Sequence, residues 1–166
     1  MSGREGETAA RRAIEDHGFT VHDANILFYA NCRNIDLVVF GKTKAVYVQV
    51  KSSTRPSSKN SVVVEGSTWT DDQLNGAPIY NKHDENLEAA LIVIVDEQEN
   101  GTTNFYIAPP KALEDTVRES GRAWAKHPKR DGTARSLGFR KELSREQLKD
   151  WLEAWHLLDS LLKVSN

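Results

Sequence analysis

The sequence predicts a mixed α/β fold, a β-sheet flanked by helices, and three observations carry that expectation. The chain opens on an amphipathic stretch with Ala9, Ala10, Ala13 and Ile14 at helical spacing between charged residues. Its middle holds β-branched and aromatic runs at residues 35–40, 45–50, 91–95 and 103–108. It closes with Leu148, Trp151, Leu152, Trp155, Leu158 and Leu162 on one helical stripe. Such a mixture buries its apolar faces by layering helices on a sheet.

In order along the chain, residues 4–17 form the first helix, which Gly18 stops. Residues 19–21 make a short strand, and 26–30 a further short element. Runs 35–40 and 45–50, joined by the hydrophilic Gly41-Lys42-Thr43-Lys44, form an antiparallel hairpin. A polar loop over 52–60 follows, then a β-prone run at 61–65. Residues 84–90 suit a short helical approach to the strand at 91–95, with acids at its positive end. Asn100-Gly101 turns into the strand 103–108. Pro109-Pro110 end that strand, and residues 111–120 form a helix stopped by Gly121. Ser144 and Gln147 have capping-box spacing and start one long C-terminal amphipathic helix.

At 166 residues the chain has the length of one ordinary domain, residues 1–166. With 39% hydrophobic and 28% charged residues it is apolar enough to build a core. The apolar run 89–95 falls far short of the roughly 20 residues that a spanning helix needs. Arg4, Glu5 and Glu7 stand where a signal peptide would want apolar residues, so a cytoplasmic protein with no membrane contact is expected. The lone Cys32 excludes an internal disulfide framework and a multi-cysteine zinc site, and reads as structural. Neither a glycine-rich phosphate loop nor a serine hydrolase elbow is present. Because the net charge is only −2, nucleic-acid contact requires a local basic patch.

The most informative stretch runs from Asn34-Ile35-Asp36 to Gln49-Val50-Lys51: an acid opens one strand of the hairpin and an amide and an ammonium end its partner. Strand alternation puts Gln49 and Lys51 on one face and Val50 on the other, and the hairpin brings Asp36 beside them. Carboxylate, carbonyl and water oxygens are what a hard divalent cation takes, and a neighbouring lysine can position a water for attack on phosphorus. Taken singly, these residues suit the polar face of a half-exposed hairpin better; taken together with Glu7 and the serine-rich loop after Lys51, they favour the site.

The stretch resembles the PD-(D/E)XK nuclease superfamily, in a Gln-x-Lys variant with Ile35-Asp36 for the first motif and Gln49-Val50-Lys51 for the second. That resemblance covers roughly the first 110 residues in outline. It implies a restriction endonuclease-like sheet and metal-dependent hydrolysis of double-stranded or branched DNA. The metal would be magnesium, or manganese in its place. Asp36 would be a direct metal ligand, Gln49 a neutral oxygen ligand and the Val50 carbonyl a further one. Glu7 would be an additional metal-associated carboxylate, and Lys51 would orient the attacking water. The acid of the second motif is Gln49 here, which brings an oxygen but no charge. A catalytically weakened relative that binds nucleic acid or protein in a defence system is therefore the alternative reading. A homodimer or a partner protein is compatible with either.

Beyond that centre, Ser52, Ser53, Arg55 and Lys59 suit phosphate contacts or an ordinary solvated loop. Residues 122–141 carry seven Lys or Arg side chains, Lys126, Lys129, Arg130 and Arg135 among them, against Asp131 alone. Trp124, His127 and Phe139 are interleaved, a composition that suits a nucleic-acid backbone clamp with a base-stacking surface. Trp124 equally suits a core position. Gln73 is an unspecific candidate near the active site, and Trp151 with Trp155 reads as core packing.

Overall fold

The computed structural model describes residues 2–53, 58–83 and 86–163. In chain order the elements are α1 (Gly3–Asp16), β1 (Thr20–Asp23), α2 (Ala24–Leu27), β2 (Leu37–Phe40), β3 (Ala45–Ser53), β4 (Ser61–Thr68) and α3 (Asp71–Asn75). They continue with β5 (Leu91–Glu97), β6 (Thr103–Ala108), α4 (Pro110–Lys126), β7 (Arg140–Ser144), α5 (Arg145–Leu148) and α6 (His156–Leu162). A five-stranded sheet has the order β1-β2-β3-β5-β6, and β4 pairs with β7 in a separate antiparallel ribbon. Within the large sheet β3 and β5 are parallel and every other pair is antiparallel. This is the mixed α/β architecture that the sequence predicts.

Side-chain alternation gives each face of the sheet its own core. Val39, Val48, Val50 and Val93 pack with Ala10 and Ile14 of α1 and with Leu158 and Leu162 of α6. On the opposite face Val38, Ile92 and Ile94 pack with Val62 and Val64 of β4, Leu113 and Val117 of α4, and Leu143 of β7. No helix among the described residues is long and apolar enough to cross a membrane.

Three predicted elements differ from the observed ones. The single long C-terminal helix is instead α5, a 3₁₀ turn at Lys149–Trp151 and α6. Leu148 and Trp151 belong to the core on one face of the sheet, whereas Trp155, Leu158 and Leu162 belong to the other. The chain must therefore wrap the β6 edge, which a straight helix cannot do. At the break, Leu152 bridges Tyr106, Glu153 adopts φ 49°, and its N–H donates to the Phe105 carbonyl at 2.8 Å. This contact also covers part of an open sheet edge.

The helix expected to stop at Gly121 runs on to Lys126. Gly121 faces the Trp69 indole, where an added Cβ would lie 2.4 Å from Cζ2. The glycine thus serves close packing rather than termination. Finally, residues 86–90 are not helical, while 84 and 85 lie outside the described residues. Two asparagines hold this segment: Asn34 donates to the His83 and Leu87 carbonyls, and Asn81 bonds both the N–H and the C=O of Ala89. Backbone groups that would have paired within a helix are thereby paired with side chains.

Candidate active site

The ladder between β2 and β3 ends at the pair Leu37–Val48, and one residue beyond it the Asp36 N–H still donates to the Val48 carbonyl at 2.9 Å. The Val50 N–H, next in line, donates instead to Asp36 Oδ2 at 2.7 Å. The Asp36 carbonyl accepts from Ala24 N at the start of α2, so backbone and side chain are both anchored. Burial pushes the Asp36 carboxyl above its ordinary range. The Val50 hydrogen bond and the Lys51 charge oppose that shift, and the Asp23 carboxylate adds to it.

Glu7 comes from the half-buried side of α1 and is also pushed up, by burial first and then by Asp36 and Asp23, with Arg4 opposing. Carboxyls from α1, the end of β1 and the start of β2 therefore repel one another. Asp23, which no sequence pattern singles out, closes β1 opposite Leu37, and its Oδ1 caps α2 through Asn25 N and Ile26 N.

On β3, alternation buries Val50 in the core beneath α1 and turns Gln49 and Lys51 to the other face, where they pair in register with Ile92 and Ile94. Gln49 is buried and its Nε2 donates to the Arg33 carbonyl at 3.2 Å. That bond fixes which end of the amide is oxygen, and Oε1 is left buried without a hydrogen-bond partner among the described residues. Lys51 Nζ lies 2.9 Å from Glu65 Oε2 of β4. Burial alone would push Glu65 up, but the Lys51 charge and hydrogen bond, with Lys82 and the Ser67 N–H, outweigh it and hold the carboxyl below its ordinary value.

Opposite Glu65 in the ribbon stands Lys141, fully buried, its ammonium donating to the Ser67 and Thr68 carbonyls and the Ser67 hydroxyl. Burial presses its pKa down to about 8, more than the Glu65 carboxylate restores, and Lys82 adds to the depression. Glu65 is thus a carboxylate of the site that motif spacing misses. Its one signal in the sequence is an acid at the end of the otherwise apolar run Val62-Val63-Val64.

These oxygens suit a hard divalent cation: carboxylates that repel each other, plus a buried amide oxygen with no donor. Among the described residues no three His, Cys, Asp or Glu side chains stand together as a metal cluster. The remaining candidates are dispersed. Ser53 is buried and its hydroxyl accepts from Val63 N at 3.0 Å, which makes it a tie between β3 and β4. Ser52 donates to the Ser2 carbonyl, and the exposed Lys59 pairs with Glu99. Arg55 lies outside the described residues. Lys126, the last residue of α4, and Lys129 and Arg130 beyond it are exposed, and Arg135 stacks on Trp124 at 3.9 Å. Gln73 is tied to α3 and the Pro78 carbonyl, and Cys32 is buried beside α2.

No protein-family model matches the chain, and no curated protein matches it. Among solved structures, the bacterial homing endonuclease I-Ssp6803I is similar, with a TM-score of 0.56 and 17% sequence identity over 96% of this chain and 89% of that one. At that identity the likeness is one of fold.

Proposed function

We propose that this chain is a metal-dependent endonuclease of the PD-(D/E)XK kind that hydrolyses DNA phosphodiester bonds. One observation carries the reading: the Asp36 carboxylate is bonded to the N–H of Val50, the residue between Gln49 and Lys51. The fold likeness to a homing endonuclease supports it. Asp36 and Gln49 would hold magnesium or manganese, with the Val50 carbonyl and Glu7 at the edge of the site. A bound cation supplies polarisation of a phosphate oxygen and acidification of water. Lys51, steadied by Glu65, orients the attacking water and stabilises charge developing on the phosphate. Double-stranded or branched DNA is the substrate, in the cytoplasm, with the cutting of two strands met by a homodimer or a partner protein.

Gln49 and the engagement of Lys51 by Glu65 favour a second reading, a weakened nuclease fold that binds nucleic acid or protein without cutting. Cleavage of plasmid, linear, branched and single-stranded DNA with magnesium or manganese separates the two. The wild type is expected to cut, and Asp36→Ala and Lys51→Ala each to lose cleavage with circular dichroism unchanged. Cleavage retained in both variants removes the nuclease assignment, and a wild type that binds without cutting supports the second reading.

A further inference from the structure

A cavity of about 630 Å³ opens between α4 and the β4–β7 ribbon, within the range of roughly 300–1,000 Å³ typical of small-ligand pockets. Its apolar lining is three aromatic rings and Leu143. Trp69 packs against Gly121, and Phe139 lies 6.3 Å from Trp69 and 6.2 Å from Trp124 between ring centroids. Trp124 is 46% exposed, with the Arg135 guanidinium over its ring.

Polar groups of both kinds share the lining. The Glu142 carboxylate accepts from Ser61, and the Gln147 oxygen is taken up by Ser144, which leaves the Gln147 amide hydrogens as donors. The chain from residue 122 to 142, part of which lines this cavity, carries seven Lys or Arg against two acids, with Arg122 and Lys126 lining a separate pocket on α4. An aromatic lining, donors and an acceptor within reach, and a cationic surround match one class of occupant: a flat heterocycle with polar edges, carried on an anionic strand.

We infer that this cavity receives an unpaired base of a nucleic-acid strand, stacked against Trp124. This rests on the reading of the chain as a DNA-acting protein, and deepens it by placing a second contact away from Asp36 and Lys51. Lys129 and Arg130, exposed in the chain that follows α4, hold the adjoining phosphates, and Arg135, over the Trp124 ring, keeps the indole in place. Stacking of this kind is tolerant of sequence, so the pocket recognises that a base is unpaired rather than which base it is.

The test compares two fluorescein-labelled decamers of equal charge, oligothymidylate and a fully abasic strand, by anisotropy in EDTA. Oligothymidylate is expected to bind about tenfold tighter, the scale of a stacked base. Trp124→Ala should bring it down to the abasic level, while Trp124→Phe keeps most of the difference. Equal affinity of the wild type for the two strands, no binding of either, or a difference that survives Trp124→Ala overturns the inference. Magnesium-dependent cleavage by the wild type is scored separately. Cleavage without base-dependent binding overturns the pocket and leaves the nuclease reading, whereas base-dependent binding without cleavage does the reverse.

Discussion

Two carboxyls of the site, Asp36 and Glu65, are shifted in opposite directions, and that difference has opposite consequences for stability. Glu65 sits below the ordinary value of 4.5 because Lys51, Lys82 and Ser67 outweigh its burial. A depressed acid stabilises the fold above its unfolded pKa, and the contribution is lost as pH falls through the folded value. Glu65→Gln should therefore cost about 2 kcal/mol at pH 7. That is less than the roughly 3–5 kcal/mol of a fully buried pair, because Lys51 keeps 23% of its side chain exposed. The gap to wild type should close below pH 4.5 in urea titrations, and a gap independent of pH would refute the ion pair's role. Asp36 is raised above 3.8, chiefly by burial, so its contribution is present at low pH and is lost as pH rises through the folded value. Asp36→Asn keeps an acceptor for the Val50 N–H and removes the penalised charge. It should stabilise the metal-free protein at pH 7 by about 1 kcal/mol while cleavage is lost. Destabilisation would mean that the charge itself holds the strands together. Asp36, Gln49 and Lys51 were legible as candidates in the sequence because an acid and a Gln-x-Lys run end neighbouring strands of a hairpin. Glu65 and Asp23 were not, because β4 and the end of β1 reach the site through tertiary packing that no local spacing encodes.

At the scale of elements, Gly121 is the point where local signals and packing disagree most. Its position after an amphipathic stretch reads as a helix stop, yet α4 continues through it, and the Trp69 ring occupies the space that a Cβ would take. Gly121→Ala should gain helix propensity of about 1 kcal/mol and lose more to overpacking, typically about 1–3 kcal/mol, for a net destabilisation in urea unfolding. The clashing atoms Cε2, Cζ2 and Cη2 belong to the six-membered ring of the indole, so Trp69→Phe in the same chain should recover part of that loss. Additive effects of the two substitutions would mean that they do not meet. The hairpin of β2 and β3, the strands β5 and β6 and helix α1 were legible because their patterns bury one face locally. The C-terminal stripe was not, since identical helical spacing serves two cores on opposite faces once the chain bends around β6. Residues 86–90 were hidden for a related reason: their backbone partners are Asn34 and Asn81, polar residues whose reach depends on the finished fold.

Across the whole molecule, the site depends on how the β4–β7 ribbon is held to the large sheet, because Lys51 belongs to one and Glu65 to the other. Ser53 and Val63 make one tie. Arg145, just after β7, makes another. Its guanidinium donates to Asp96 Oδ2 at 3.0 and 3.2 Å, its side chain also reaches the Lys59 carbonyl, and its backbone N–H donates to the Asn60 carbonyl. Asp96 lies in β5 and is 2% exposed, so removing the arginine would leave a buried carboxylate with its cation gone. Arg145→Ala should lower stability by about 3 kcal/mol, the low end for such a pair because the arginine side chain is 30% exposed. Adding Asp96→Asn removes the stranded charge and should restore part of the loss, a non-additivity that a double-mutant cycle measures directly. Cleavage should fall in Arg145→Ala even under conditions where the chain is fully folded, because a loosened ribbon no longer keeps Glu65 within 2.9 Å of Lys51. Full activity in that folded variant would show that the ribbon is held by the β3–β4 tie alone, and that Arg145 serves stability without serving the site.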